Sequence, residues 1–363
     1  MKSPGRIAVK ITEIEVAGYE RVARAEDAES GLLAYIAVHS TALGPAIGGT
    51  RIWKYESDEA ALRDVLRLSM GMTYKSAVAE TGLGGGKSVV VLRDGAKKSP
   101  ELLRAMAAFV HRFEGSYFAA EDVGSTPEDL VVMREITPYV VALPVSHGGS
   151  GNPSPFTAWG VFRGIQACVS RAYGSDDLKG LHVAVQGLGS VGTFLCEHLH
   201  RAGAQLTVAD VRESSAQAAR ERFGATVVAP DVILQMPCDV LAPCALGAVI
   251  NDRTLPELRC RVVAGAANNQ LDRDEHGDLL RKRGIVYAPD FVINAGGIIN
   301  IAVELSPSGY QEAAALERCS RIYDVIARVL QEADDQEIST HQAAVDLAKR
   351  RVAASARTSS LKS

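Results

Sequence analysis

The chain has 363 residues, with 39 basic and 43 acidic side chains, and its formal net charge is −4. Hydrophobic residues make up 47% and charged residues 23%, which is typical of a folded globular chain and not of a disordered or fibrous one. A mildly acidic chain is not attracted to phosphate backbones, so we expect no nucleic-acid partner. The start of the chain has no apolar segment of signal-peptide length, and no later stretch reaches the ~20 apolar residues of a membrane span. These features favour a soluble cytoplasmic protein that does not bind membranes.

The six cysteines are scattered along the chain, without CxxC spacing and without histidines at zinc-finger intervals. We therefore interpret them as small buried side chains and predict no metal site. Six cysteines without a pairing pattern also suit an intracellular protein, in which thiols stay reduced.

The first part of the chain predicts an α/β domain at residues 1–145. Residues 34–40 and 87–92 are short β-branched runs that predict strands. A helix is predicted between them, with Ser57 as its N-cap and apolar residues at helical spacing behind it. The Gly/Ser/Pro-rich stretch 146–155 has no periodic apolar face and predicts a domain boundary.

The second part, residues 146–334, alternates predicted strands and helices. Strands are expected at 182–186, 205–210, 238–243, 261–266 and 285–289. Repeated β-α units of this kind indicate a doubly wound parallel sheet with helices on both faces. Helices are then predicted at about 310–332 and 340–354. We expect the segment of about 335–355 to pack back on the first domain and residues 356–363 to form a frayed tail.

A dinucleotide site is predicted where the strand 182–186 meets the next helix. Gly187, Gly189 and Gly192 have GxGxxG spacing: the first permits a tight turn, the second lets a pyrophosphate approach the backbone, and the third lets helix and strand pack closely. Ser190 and Val191 begin the helix, whose N-terminus faces the phosphates. Asp210 ends the next strand, where a carboxylate binds ribose hydroxyls and repels a 2′-phosphate. The pattern predicts a Rossmann-type domain that binds NAD rather than NADP, although Arg212 could weaken this discrimination.

A second candidate site is the segment GLGGGKS at residues 82–88. Its spacing is one residue short of a phosphate-binding loop, and a strand follows it, so a nucleotide triphosphatase is not favoured. The glycines instead leave space for a substrate beside Lys87, with Lys75 as a second cation. Two lysines at one small cavity lower each other's pKa, which suits acid–base chemistry near neutral pH. Asp122 could complete this site, but on its own it is equally well explained as a turn or helix-cap acid.

Together these motifs resemble the leucine/valine/phenylalanine dehydrogenases, relatives of glutamate dehydrogenase, over about residues 30–350. The resemblance rests on several blocks in the same order: HSTALGPAIGGTRIW, LRLSMGMTYKSAVA, GLGGGKSVV, AEDVGSTPEDL, SGNPSPFTAWGVFRG, VAVQGLGSVG, APCALGAVIN, AGAANNQL and PDFVINAGGIIN. It implies an N-terminal domain for substrate binding and oligomerisation, a C-terminal NAD domain, a cleft between them, and a homo-oligomer. It also implies NAD-dependent oxidative deamination of an apolar L-amino acid to its 2-oxo acid and ammonia, and the reverse reaction.

The resemblance also implies roles for individual residues. Lys75 is similar to the lysine that pairs with the substrate carboxylate, and the backbone at Gly48 and Gly49 lies beside that carboxylate. Lys87 is similar to the catalytic lysine, and Asp122 to the aspartate that transfers protons at the amine. The residues implied on the cofactor side are Arg51, Thr157, Cys244, Ala245 and Asn269. Those implied around the substrate side chain are Ile47, Ala120, Ile298 and Ile301.

The substrate itself stays open between two groups of apolar amino acids. All four implied pocket residues are apolar, so the pocket should reject glutamate, because burial of an unpaired carboxylate is costly. Branched-chain amino acids are our first expectation. An aromatic substrate, phenylalanine or tryptophan, is the alternative, because Val78 and the segment AGAANNQL depart from the leucine-type pattern. A non-catalytic NAD-binding protein is the alternative from another class.

Overall fold

The computed structural model describes residues 9–93 and 97–360. The chain divides into two compact units. The first contains the chain up to Asn152, together with Ile301–Tyr310 and the last helix from Ala348, and the second contains Pro153–Asn300 and Gln311–Leu347. In the described part of the chain, no helix is long and apolar enough to cross a membrane. The predicted two-domain α/β fold is confirmed.

The first unit is built on a six-stranded mixed sheet in the order β1-β2-β3-β5-β4-β6. The strands β1, β2, β3 and β5 pair antiparallel, whereas β4 runs parallel to both β5 and β6. Their bounds are β1 Lys10–Glu13, β2 Arg21–Asp27, β3 Leu32–Ser40, β4 Ala46–Trp53, β5 Gly84–Val91 and β6 Tyr117–Glu121. Every residue of β5 is buried, as expected for a strand in the middle of a covered sheet.

Two helices of the first unit connect these strands, α1 (Asp58–Val78) and α2 (Pro100–His111), and α3 (Pro127–Arg134) follows the last strand, β6. Ser57 is the N-cap of α1, as predicted, and its side chain accepts a hydrogen bond from the N–H of Ala60. The buried side of α1, including Ala61 and Val65, packs in one apolar cluster with β3 and β5. This packing holds α1 against the sheet face that carries the candidate site.

The second unit contains a six-stranded sheet that is parallel throughout, in the order β12-β11-β10-β7-β8-β9. Its strands are β7 His182–Gln186, β8 Gln205–Ala209, β9 Thr226–Val227, β10 Cys238–Pro243, β11 Cys260–Val263 and β12 Val286–Tyr287. From β7 the chain adds β8 and β9 on one side of the sheet and then β10, β11 and β12 on the other, so the strand order reverses at β7. Ligands of such sheets bind beyond the carboxyl ends of the strands at this point.

The remaining helices follow in chain order: α4 Ser154–Tyr173, α5 Ser190–Arg201, α6 Glu213–Phe223, α7 Glu275–Lys282, α8 Asp290–Ile293, α9 Gly296–Glu304, α10 Glu312–Ser320, α11 Ile322–Asp335 and α12 Thr340–Ser360. In the first unit, the second half of α12 contacts the end of α1. The Arg351 guanidinium donates hydrogen bonds to the carbonyls of Ala77 and Val78 at 3.0 and 2.9 Å.

Three local differences from the sequence prediction have physical reasons. The glycines Gly84–Gly86 and Lys87 lie inside β5, because the strand extends three residues further upstream than predicted. The helix expected at about 310–332 is two helices that meet at Arg321. The last helix continues to Ser360, into the segment predicted as a frayed tail, because its alanines and arginines favour helix. The last three residues of that tail lie outside the described residues.

Candidate active site

Glycines of neighbouring strands bring Lys87 and Asp122 close together in the first unit. The register aligns Gly49 of β4 with Ala120 of β6, and Thr50 with Ser88 of β5, so Gly49 lies between Lys87 and Ala120. A Cβ atom added at Gly49 would lie 2.6 Å from the Cβ of Asp122. A side chain at position 49 would therefore displace the aspartate, and only glycine leaves the space that the pair occupies.

Gly48 faces the other side of the sheet and is needed for a different contact. A Cβ atom at Gly48 would lie 1.9 Å from the carbonyl oxygen of Gly86. On that side, the hydroxyl of Tyr117 donates to the Gly48 carbonyl at 2.7 Å and lies 3.0 Å from the hydroxyl of Ser88. Ser88 in turn donates to Thr50 at 2.9 Å. This buried polar network fixes the strands that carry the candidate site.

Lys87 and Asp122 form a largely buried ion pair. The lysine Nζ lies 2.7 Å from Oδ2 of Asp122, and the two side chains are 7% and 19% exposed. Burial lowers the pKa of Lys87, and the attraction of Asp122 only partly offsets this. Burial raises the pKa of Asp122, but the charge and hydrogen bond of Lys87, the charge of Arg51 and the N–H of Val123 together outweigh it and hold this pKa below the ordinary value. The pair therefore combines a lysine that loses its proton more readily than in water with a carboxylate that stays charged.

The helix α1 carries Lys75 along the same face of the sheet. Thr73 of α1 packs against β5 so closely that a Cβ atom at Gly85 would lie 2.0 Å from its backbone nitrogen. The Thr73 hydroxyl also lies 2.9 Å from Nδ1 of His39 on β3. Lys75 follows two residues later and is half-buried. The structure thus places Lys75 and Lys87 on elements that pack directly on each other.

Arg51 contacts two carboxylates in the first unit. Its Nε atom lies 3.1 Å from Oδ2 of Asp122, and its NH1 atom lies 2.9 Å from Oδ2 of Asp64. The same Asp64 oxygen accepts a hydrogen bond from the hydroxyl of Tyr55 at 2.8 Å. Arg51 was expected at the cofactor, and its guanidinium is engaged here by acidic side chains of its own unit.

A separate cavity in the second unit surrounds the predicted dinucleotide turn between β7 and α5. Gly187 has a φ of +96°, which L side chains rarely adopt. A Cβ atom at Gly192 would lie 2.0 Å from the Gly187 carbonyl oxygen, whereas one at Gly189 would have no heavy atom within 4 Å. The φ of Gly187 and the close approach at Gly192 are the tight turn and the close helix–strand packing, and the backbone at Gly189 is left open. A cavity of about 810 Å³ opens here, and its lining includes Gly187, Gly189, Asp210, Cys244 and Ala245.

Asp210 lies at the rim of this cavity with its charge held in place. Its side chain is 7% exposed. Its carboxylate accepts hydrogen bonds from the N–H of Leu188 at 2.6 Å and from the N–H of Arg212 at 2.8 Å. Burial alone would raise the pKa of Asp210, but these hydrogen bonds outweigh it and lower the pKa. The Arg212 side chain is 61% exposed and reaches the carboxylate only at 3.4 Å.

The other predicted residues lie on identifiable elements. Ser190 and Val191 begin α5, and Thr157 lies in the first turn of α4, where its hydroxyl donates to the carbonyl of Pro153 at 3.1 Å. Asn269 has a φ of +50°, and its N–H donates to the buried carboxylate of Asp290 at 2.6 Å. The apolar candidates are two buried strand residues, Ile47 and Ala120, and two residues of α9, the buried Ile298 and the half-buried Ile301.

Sequence reasoning missed three groups that hold predicted site residues in place: Asp64 and Tyr55 beside Arg51, and Asp290 beside Asn269. Asp64 reads in the sequence as an ordinary polar residue of an amphipathic helix. Its contact with Arg51 spans 13 residues and depends on how α1 packs on β4. Only Asp290 had a local signal, because an acid suits the first turn of a helix, and Asp290 is the first residue of α8.

The glycine-rich turn at the switch point of a parallel sheet, and a buried lysine–aspartate pair in a separate α/β unit, define a dinucleotide-dependent oxidoreductase. Comparison with known proteins defines it further. The model of the Glu/Leu/Phe/Val dehydrogenase dimerisation domain matches residues 19–139, and that of the glutamate/leucine/phenylalanine/valine dehydrogenases matches residues 207–359. The chain belongs to this family of NAD(P)-dependent amino acid dehydrogenases.

Individual relatives cover nearly the whole chain. Leucine dehydrogenase of Bacillus cereus is 49% identical over 340 residues, which are 94% of this chain and 92% of that protein. Phenylalanine dehydrogenase of Bacillus thermotolerans is 42% identical over 341 residues, 93% and 89% of the two chains. The crystal structure of L-tryptophan dehydrogenase from Nostoc punctiforme superposes with a TM-score of 0.84 at 44% identity, covering 94% of this chain and 97% of that one. The resemblance stated from the motifs is confirmed.

Proposed function

We propose that this enzyme catalyses the reversible NAD-dependent oxidative deamination of an apolar L-amino acid, with branched-chain amino acids preferred, to the 2-oxo acid and ammonia. The observation that carries the proposal is the buried Lys87–Asp122 pair, 2.7 Å from Nζ to Oδ2. Such a pair provides a lysine of lowered pKa beside a carboxylate that is charged at rest and can accept a proton, and amine chemistry at neutral pH needs both.

Lys75 and Lys87 would perform different tasks. The Lys75 ammonium would bind the substrate carboxylate together with the backbone at Gly48 and Gly49. Bound NAD would supply the hydride acceptor for the substrate α-carbon. Neutral Lys87 would then take a proton from the water that attacks the resulting iminium carbon, because a second cation beside an iminium is unfavourable. Asp122 would accept the hydroxyl proton of the resulting carbinolamine and pass it to the amine nitrogen, so that the C–N bond breaks, ammonia leaves and the 2-oxo acid remains.

The residues of the second unit fit a dinucleotide. A Cβ atom would fill the space at Gly187 and Gly192, whereas Gly189 leaves the backbone open to a pyrophosphate. We assign the cofactor contacts to Gly187, Gly189, Ser190, Val191, Gly192, Asp210, Thr157, Cys244, Ala245 and Asn269. The charged Asp210 favours NAD over NADP, because a 2′-phosphate beside this carboxylate would be repelled.

The apolar character of the proposed pocket supports the substrate class. Ile47 and Ala120 are 1% and 4% exposed, and Ile298 is 6% exposed. A charged substrate side chain against these residues would lose its hydration without a partner. The relatives that are leucine dehydrogenases support a branched-chain substrate for this chain. The relatives that are tryptophan and phenylalanine dehydrogenases make aromatic amino acids the second candidate.

The test follows NADH absorbance with purified protein, NAD and a panel of leucine, valine, isoleucine, phenylalanine, tyrosine, tryptophan and glutamate, repeated with NADP. We expect the highest kcat/KM with a branched-chain amino acid, no turnover of glutamate, and little activity with NADP. A preference for aromatic amino acids would replace the substrate assignment. No turnover at all, with NAD still bound, would point to the non-catalytic alternative.

The matched variant is Lys87→Ala. Loss of a general base costs typically 10²–10⁴-fold in rate, so we expect kcat to fall by about that factor. NAD affinity should stay unchanged, because every proposed cofactor contact lies in the second unit. An active Lys87→Ala enzyme would contradict the assignment of the base.

We also propose a cytoplasmic homo-oligomer in which the first unit provides the subunit contacts. The match of residues 19–139 to a dimerisation domain supports this. Light scattering of the purified protein should give a multiple of the 38.6 kDa chain mass, and a mass of one chain would contradict the proposal.

A further inference from the structure

One chain of charged contacts leads from the surface of α1 to the candidate base. The Arg67 guanidinium, 56% exposed, lies 2.9 Å from Oδ1 of Asp64, and Oδ2 of Asp64 lies 2.9 Å from Arg51. Arg51 contacts Asp122, which contacts Lys87. The three groups between Arg67 and Lys87 are 17–22% exposed, and Lys87 is 7% exposed. Interactions between these groups are therefore screened less by water toward the lysine.

Lys87 and Arg51, the two cations nearest to Asp122, share a single oxygen of its carboxylate. Lys87 Nζ lies 2.7 Å and Arg51 Nε lies 3.1 Å from the same Oδ2 atom. Two donors on one oxygen fix the rotamer of the carboxylate and keep that oxygen beside the lysine. The guanidinium is planar and rigid, and it is held from its other end by Asp64, so it cannot turn away without breaking both contacts.

We propose that Arg51 and Asp64 are positioning residues that hold the Asp122 carboxylate against Lys87, and that their opposite charges adjust the proton affinity of the lysine. The proposal rests on the proposed function only in giving Lys87 the role of the base. Tyr55 belongs to the same arrangement, because its hydroxyl donates to Asp64 Oδ2 at 2.8 Å and helps to orient that carboxylate. Neither Arg51 nor Asp64 needs to touch the substrate to act in this way.

Arg51 and Asp64 shift the pKa of Lys87 in opposite directions. Arg51 on β4 disfavours the ammonium form, whereas Asp122 after β6 and Asp64 on α1 favour it. Other titratable groups on the elements packed at this face include Lys75 and Tyr74 on α1 and Tyr35 and His39 on β3, and all four are kept in the variants below. Removing the Arg51 charge should therefore raise the pKa of Lys87, and removing the Asp64 charge should lower it.

The experiment measures the pKa of Lys87 directly in the enzyme without cofactor or substrate. Pulse acetylation with acetic anhydride, followed by peptide mass spectrometry, gives the modified fraction of Lys87 as a function of pH. We compare the wild type with Arg51→Gln and Asp64→Asn. The control is Asp58→Asn, a change of the same kind on the same helix at a 46% exposed side chain.

We expect the midpoint of Lys87 acetylation to rise in Arg51→Gln and to fall in Asp64→Asn, each by about 0.5–1 pH unit. The midpoint in Asp58→Asn should stay that of the wild type. A merely structural role would lower activity in both variants without moving the midpoints in opposite directions. Equal midpoints in all four proteins, or shifts of the same sign, would overturn the proposal.

Turnover provides the second readout. In Arg51→Gln, kcat at the pH optimum should fall about 10-fold or more, since small misplacements of a reacting group already have costs of this order. The KM for NAD should stay within about twofold. Arg51→Lys keeps the charge but lacks the planar fork that joins two carboxylates, so it should lower kcat while moving the acetylation midpoint less than Arg51→Gln.

The two proposals fail in different ways. If the midpoints move as expected but no amino acid is turned over, the positioning role stands and the proposed function fails. If amino acids are turned over and the midpoints do not move, the proposed function stands and the positioning role fails. Circular dichroism and thermal unfolding of each variant show that the compared proteins are folded.

Discussion

The glycine turn of the second unit allows cofactor binding to be separated from folding. At Gly189 a methyl group would have no heavy atom within 4 Å, and the φ of −66° is ordinary for any residue. At Gly192 the same methyl carbon would lie 2.0 Å from the Gly187 carbonyl oxygen, where ordinary contact begins at 3.4 Å. The atoms would have to separate by about 1.4 Å, the difference of these two distances. We therefore expect Gly189→Ala and Gly192→Ala to behave differently.

Their magnitudes follow from these distances. Gly192→Ala forces strand and helix apart, and overpacking of this kind costs about 1–3 kcal/mol in the free energy of unfolding. Gly189→Ala should cost at most about 1 kcal/mol, because alanine is a poorer N-cap than glycine. Its methyl group would instead project into the space of the pyrophosphate. A similar 1–3 kcal/mol lost in binding corresponds to a Kd for NAD that rises by about 5- to 150-fold.

Urea unfolding and isothermal titration with NAD measure the two quantities independently. The expected pattern is near-normal stability with weakened NAD binding in Gly189→Ala, and losses in both quantities in Gly192→Ala. Wild-type NAD affinity in Gly189→Ala would refute the argument, because the pyrophosphate could then not lie over this residue. A stable, fully binding Gly192→Ala protein would show that the strand and helix are less tightly packed than the 2.0 Å approach requires.

Three further outcomes follow from local contacts. Asp210→Asn should reduce the preference for NAD over NADP by about 10-fold or more in kcat/KM, because it removes the charge that repels a 2′-phosphate; an unchanged ratio would contradict this role. The lowered pKa of Asp210 means that its charge stabilises the fold above its ordinary pKa, and that this stabilisation is lost as the pH falls through the lowered value. The urea midpoint of Asp210→Asn should therefore fall less than that of the wild type between about pH 5 and about pH 3. Thr126 accepts from the N–H of Asp129 in the capping box of α3, and Thr126→Ala should lower the free energy of unfolding by about 1 kcal/mol, measured by urea unfolding against Ser116→Ala, another hydroxyl of the same unit.

Local patterns were enough to predict most of the fold. The strand at 182–186, the glycine turn and the helix that follows are encoded in neighbouring residues, so the sequence places them correctly. The N-cap Ser57 was also visible as a short polar signal before a helix. By contrast, the glycines before Lys87 were expected in a loop, because glycine weakens a strand in isolation. Their place within β5 depends on close approaches by β4 and α1, which no local pattern encodes.

In the candidate site, too, the residues within local motifs could be predicted, whereas the residues that hold them in place could not. Lys87 and Asp122 could be found because each lies in a distinctive local motif, and the resemblance assigned them roles. The resemblance placed Arg51 on the cofactor side. Its contacts could not be predicted, because that with Asp122 spans 71 residues and that with Asp64 depends on the packing of α1. Residues that hold others in place carry ordinary local sequence, so their roles become visible only when the distances are known.

Burial and pairing act on the pKa of Lys87 in opposite directions, and the proposed role as a reversible base needs both. An isolated lysine at 7% exposure would be driven to the neutral form and could not hold the proton that it takes from water. A lysine paired with a carboxylate in water would keep its proton at neutral pH. The sheet register determines both effects at once, because the glycine at position 49 brings Asp122 to the same buried face as Lys87. The Arg51–Asp64 pair lies outside this register. A substitution at Arg51 or Asp64 can therefore raise or lower the pKa of Lys87 without changing the pairing of the strands.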